Sequence, residues 1–166
     1  MERYEIKIEW DGPFGIDEII DKMIDGGAEP DWDENDYGLY QIYGRHILCG
    51  KNTLLYIGMT TDQTFSQRFK KHKTWLDKDQ DKEDIKIYIG RIYDPKKHSE
   101  KDNWKSWERD VEIAEKILIH KYSPNYNSRE LTSEPKLPFK NICLVHIGER
   151  NRLKEEDNIP RDFSEW

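Results

Sequence analysis

Apolar and charged residues alternate at the start of the chain. Tyr4, Ile6, Ile8 and Trp10 interleave with charged positions, the period of a strand with one buried face. Asp11-Gly12-Pro13 reads as a break. Ile16, Ile19, Ile20, Met23 and Ile24 then recur at helical spacing and predict a short amphipathic helix. Residues 26–36, rich in Gly, Pro and Asp, read as a loop. Two β-runs follow, over 38–44 and 52–59, and predict an antiparallel hairpin with an irregular connection at 45–51. The segment 64–76 predicts a helix with Phe65, Phe69 and Leu76 on one side. After a polar loop, 85–93 alternates Ile85, Ile87, Ile89 and Arg91 against Lys86, Tyr88, Gly90 and Ile92, so it predicts another strand. A loop at 94–103 precedes a longer helix from Trp104 to about Tyr122, stopped by Ser123-Pro124. Residues 141–148 predict a last strand and 160–166 a tail.

Composition changes this picture in one respect. Charged residues make up 37% of the 166-residue chain, against about 25% in ordinary globular domains, which raises the question of disorder. Six Trp, nine Tyr and five Phe answer it, because they supply the buried area that disordered chains lack. The net charge of −7 is unevenly spread: residues 1–36 carry 3 basic and 13 acidic side chains, and the remainder is mildly basic at +3. The acidity belongs to an N-terminal extension, which reads as solvated surface, a shield over a basic site or an oligomer contact. Cys49 and Cys143 stand far apart and the histidines lack metal-ligand spacing. With no apolar leader and no membrane-spanning run, the expectation is a soluble intracellular protein that contacts no membrane.

Four groups of residues could carry chemistry. Arg68 and His72 lie four apart, one above the other on a helix that also carries Lys70, Lys71 and Lys73. Such a run is either a solvated basic face or an anion site, with a planar fork for phosphate oxygens and an imidazole that exchanges protons near neutral pH. Glu115 has Val111, Leu118 and Ile119 around it on the helix, whereas Glu112 neighbours Glu108, Arg109 and Lys116 and reads as surface. A carboxylate on an apolar face needs an internal cation or a bound metal ion. Tyr40 and Tyr56 read as cross-strand packing or as paired functional phenols. Asn127, in Ser-Pro-Asn-Tyr-Asn-Ser, reads as a turn residue or a positioning amide.

In order along the chain, these residues resemble the GIY-YIG nuclease family: Gly38-Leu39-Tyr40, Tyr56-Ile57-Gly58, Arg68, His72, Glu115 and Asn127. The likeness covers roughly residues 37–128. Leu39 stands where the family name has isoleucine, and Met59 stands where some members carry a lysine. A second Tyr-Ile-Gly, at 88–90, has the letters without matching flanks.

The resemblance implies an α+β fold within the α/β class: a small central antiparallel sheet of three core strands flanked by helices. Strands from 1–36 and 129–166 would extend that sheet within a single compact domain. It also implies a DNA endonuclease that uses Mg²⁺ or Mn²⁺; the sequence leaves RNA open as an alternative substrate, and the small +3 charge beyond residue 36 adds a homodimer or targeting partner as a further expectation. In that scheme Glu115 holds the metal, while Arg68 clamps the phosphate with help from Lys70, Lys71 and Lys73. Tyr40 or Tyr56 activates the water, His72 bonds a phenol or phosphate, and Asn127 positions Glu115 or the site backbone. The rival expectation is a catalytically inactive nucleic-acid-binding or interaction module on the same fold.

Overall fold

The computed structural model describes residues 3–21, 37–92, 101–127, 137 and 141–159, without the side chains of residues 21 and 101–104. The predicted loop at 26–36, Met23, Ile24 and the tail at 160–166 lie outside the described residues. The described residues form a six-stranded sheet and three helices in an α+β arrangement. In chain order these are β1 (Tyr4–Phe14), α1 (Ile16–Asp21), β2 (Gly38–His46), β3 (Gly50–Thr60), α2 (Phe65–Asp79), β4 (Lys86–Ile92), α3 (Lys101–Tyr122), β5 (Ile142–Gly148) and β6 (Glu156–Ile159).

The sheet order is β3-β2-β4-β1-β5-β6. Its first three strands are antiparallel neighbours and make the three-stranded core. Beyond them β1 pairs antiparallel with β4 and parallel with β5, so the strand from the acidic N-terminal stretch lies inside the sheet. The alternation seen in the sequence decides which helix covers which face. Ile8, Trp10, Leu39, Tyr43, Ile57 and Tyr88 point to the side packed by Trp107, Val111, Ala114 and Leu118 of α3. Tyr40, Ile42, Ile85, Ile87 and Ile89 point the other way, against Ile19 of α1 and Phe65, Phe69 and Leu76 of α2.

Two local expectations give way. Asp11-Gly12-Pro13 does not end β1, because a register shift between Asp11 and Phe14 absorbs the extra residues and pairing with β4 resumes at Phe14. The hairpin connection is also shorter than its composition suggests. β2 and β3 run on to the His46–Gly50 pair, leaving Ile47, Leu48 and Cys49 at the tip. Ile47 and Leu48 are 94% and 86% exposed.

The glycine of the second Tyr-Ile-Gly has a packing role. A Cβ on Gly90 would run into the Trp10 ring at 2.7 Å. Outside the three-stranded core, Trp10 Nε1 donates to His146 Nδ1 at 2.9 Å, and His146 Nε2 lies 3.1 Å from Asp157 of β6. Asp157 is fully buried and also accepts from Lys121 at 2.9 Å and Tyr122 at 2.9 Å. Among the described residues, no helix is long and apolar enough to cross a membrane.

Candidate active site

The first turn of α2 fixes where its polar side chains stand. Thr64 caps the helix by accepting from the Gln67 backbone N–H, and Gln67 Oε1 accepts in turn from the Thr64 N–H at 3.1 Å. Phe65, Phe69 and Leu76 are then buried against the sheet, which turns Arg68 and His72 toward β2. Arg68 Nε donates to the Tyr40 phenol at 3.0 Å, and Tyr56 lies close enough to act on the Arg68 charge. His72 Nε2 lies 2.8 Å from the same Tyr40 oxygen. The Tyr40 and Tyr56 rings stack with centroids 6.1 Å apart, and the His72 ring sits 5.3 Å from each. Four of the sequence-nominated side chains therefore meet, from β2, β3 and α2.

Gly58 makes this meeting possible. It pairs with Tyr40 across the hairpin, and a Cβ there would overlap the Tyr40 hydroxyl end and approach Tyr56 within 2.7 Å. Tyr40 is fully buried and tied to two partners, so it has nowhere to go. Gly58→Ala should cost about 2 kcal/mol by overpacking and shift the Tyr40 side chain. The check is a urea midpoint measured beside Gly15→Ala, where a Cβ meets nothing within 4 Å. Equal midpoints would remove the packing argument.

Burial, with Tyr56 close by, raises the Tyr40 pKa against the opposing pull of Arg68, and the negative charge of Glu115 raises it further. Glu115 thus bears on the same phenol, although it stands on α3. It is partly buried, while Glu112 pairs with Lys116 at 4.0 Å on an exposed part of the helix. Among the described residues no three His, Cys, Asp or Glu side chains converge as a ligand set. A single carboxylate with waters is nonetheless an ordinary inner sphere for Mg²⁺, so Glu115 suits a largely hydrated ion of that kind.

The remaining nominated residues divide. Asn127 is buried and grips the backbone of Ile57, accepting from its N–H at 2.9 Å and donating to its carbonyl at 2.7 Å. With Tyr126 N–H on the Leu55 carbonyl at 2.8 Å, this segment covers the open edge of β3 beside Tyr56. Lys70 and Lys71 are exposed, and Lys71 donates to Gln63 at 2.9 Å. Lys73 is engaged by Asp17 of α1 at 2.5 Å, and Lys82 reaches the same carboxylate at 2.8 Å. Part of the N-terminal acidity is thus spent on lysines around α2.

Two contributors escape the sequence reading. Trp75 donates its indole N–H to His72 Nδ1 at 2.9 Å, and the three-residue spacing from His72 was the available signal. Gln80 caps the far end of α2 and clamps the Arg45 backbone through both amide atoms, at 2.7 and 2.9 Å. It sat unmarked in a polar loop.

Burial, and then the Arg68 charge, lower the His72 pKa to about 4. An unfolded histidine binds its proton near 6.5, so between these values the unfolded state takes up more protons. The His72 contribution to stability is therefore complete above pH 6.5 and falls as pH drops toward 4, by about 3 kcal/mol in all. Urea midpoints from pH 7 to 4.5 should fall more steeply for the wild type than for His72→Gln. Parallel slopes would contradict the assignment.

No protein-family model matches this chain, and neither the curated proteins nor the solved structures contain a match to it.

Proposed function

We propose that this protein is a metal-dependent endonuclease that hydrolyses phosphodiester bonds in DNA. The observation that carries the reading is the meeting of Tyr40, Tyr56, Arg68 and His72 in one hydrogen-bonded cluster, with the Glu115 charge bearing on it. Two phenols, a guanidinium and a carboxylate of this kind suit an anionic substrate that must be gripped and attacked by water.

Arg68 holds a non-bridging phosphate oxygen while keeping its Nε on Tyr40. The phenols flank the attacking water, and the proton it loses passes to a phenol oxygen that has already released its own. That ionisation, whose proton leaves to solvent, needs positive charge close by; at Tyr40 burial outweighs the pull of Arg68, so a bound cation would have to add to it. A Mg²⁺ or Mn²⁺ ion held by Glu115 would add positive charge at the phosphate and at the leaving oxygen. Asn127 keeps β3, and with it Tyr56, in register. Exposed Lys70 and Lys71 suit neighbouring phosphates of the same strand.

The test is incubation with supercoiled plasmid, linear and branched DNA, and RNA, in Mg²⁺ or Mn²⁺ and with a chelator. Nicking or cutting should appear with metal, vanish with chelator, and fall at least about a hundredfold in Glu115→Ala. Binding without cleavage on every substrate would instead favour the inactive module. Cleavage of RNA alone would move the substrate class, and cleavage that survives Glu115→Ala would remove the site assignment.

A further inference from the structure

We infer that Trp75 is a positioning residue for this site, fixing His72 as a donor so that the Tyr40 oxygen receives two N–H groups. The inference rests on the nuclease reading for its role in a reaction, and on hydrogen-bond chemistry for the arrangement itself. An indole N–H can only donate. At 2.9 Å from His72 Nδ1 it requires a lone pair there, so the ring proton of the neutral imidazole sits on Nε2. Nε2 is 2.8 Å from the Tyr40 oxygen and therefore donates to it.

Arg68 Nε is the second donor, at 3.0 Å, and a guanidinium has no acceptor atom. Both lone pairs of the neutral phenol are then filled. Its own hydrogen points away from His72 and from Arg68 Nε, and it cannot be handed to the imidazole. His72 is thereby excluded as the base for Tyr40. Once Tyr40 ionises, two N–H groups already face the oxygen that carries the charge. A doubly protonated His72 would set its Nδ1–H against the indole N–H, so the same contact opposes the imidazolium.

The indole is held in turn by Tyr126, whose ring crosses it edge-on at 5.6 Å. Tyr126 adjoins Asn127, the residue that grips Ile57. The turn after α3 thus steadies both β3 and the donor that orients His72.

The experiment is ¹⁵N NMR of histidine side chains in the full chain near pH 7, beside Trp75→Phe, which keeps an aromatic ring and loses the N–H. Replacement of Trp75 by 3-benzothienylalanine, the sulfur isostere of tryptophan, serves if the Phe variant fails to melt cooperatively. Wild-type His72 should show a single Nε2–H form, and the variant a mixture of tautomers. Plasmid cleavage by the variant should fall about tenfold in kcat with little change in KM. An Nδ1–H form in the wild type, or an unchanged tautomer in the variant, would overturn the arrangement. A shifted tautomer with unchanged kcat would overturn the positioning role. If the wild type cleaves nothing, the nuclease reading and the role fall together, while the spectra still decide the arrangement.

Discussion

Arg68→Ala should slow plasmid cleavage by about a thousandfold, and Arg68→Lys should recover little of it. The guanidinium donates to the Tyr40 phenol through Nε at 3.0 Å, and its terminal nitrogens can serve a phosphate oxygen at the same time. An ammonium is a single compact charge on a flexible stem and cannot reproduce a planar fork across two oxygens. A thousandfold corresponds to about 4 kcal/mol of transition-state stabilisation, the upper range for losing one preorganised donor. The same substitution has a second readout that needs no substrate. Arg68 is one of the two causes that hold the His72 pKa down, after burial. Its loss should make His72 easier to protonate and flatten the decline of stability below pH 6.5. An Arg68→Ala rate within tenfold of the wild type would remove Arg68 from the chemistry, whatever the pH response.

Asp157→Ala should lower the melting temperature by about 10 °C and leave the Tyr40 cluster in place. Burial pulls the Asp157 pKa upward, but hydrogen bonds from His146, Lys121 and Tyr122 hold it below the ordinary carboxylate value. Removing the carboxylate takes the Asp157 partner from Lys121, whose side chain is 14% exposed, and from the fully buried His146 side chain. Breaking a buried pair from one side costs about 3–5 kcal/mol, and each kcal/mol moves the midpoint by about 2–4 °C at this chain length. Asp157→Asn keeps an acceptor and should cost less. Trp10, which joins this network through His146, belongs to the core on the α3 side of the sheet, whereas Tyr40 faces α2. Cleavage per folded molecule should therefore be unchanged. A thermal melt that shifts by less than about 3 °C would contradict the account.

Elements with a regular apolar period announced themselves in the sequence. The 2-residue alternation of β1 and β4 and the Phe65, Phe69 and Leu76 stripe of α2 place residues on the faces observed. Arg68 and His72 were legible together because one helix turn separates them, and the hairpin set Tyr40 near Tyr56. What stayed hidden depends on partners distant in the chain. β6 is four residues, Glu156–Ile159, whose strand form comes from the offered edge of β5. Asp157 within that polar run reads as surface until Lys121 and His146 close around it. Trp75 offers only its three-residue spacing from His72, which does not by itself say that its N–H meets the imidazole. The Asp11-Gly12-Pro13 signal is a real local irregularity, but a bulge within a paired strand and a chain break look alike without the neighbouring strand.

The position of β1 between β4 and β5 has a consequence for synthesis on the ribosome. β1 emerges before both of its partners, since the antiparallel one begins only at Lys86 and the parallel one at Ile142. The β2–β3 hairpin and α2 can close on themselves while Ile6, Ile8 and Trp10 wait without a sheet to join. Long-range pairings of this kind slow folding and leave an unpaired apolar strand exposed in the interval. In the finished fold, a fragment cut to residues 37–128 would free the β4 edge that β1 occupies and present it to other chains. The charged residues that alternate with the apolar ones in β1 keep one face of the strand solvated during the wait, which limits its association with other apolar segments.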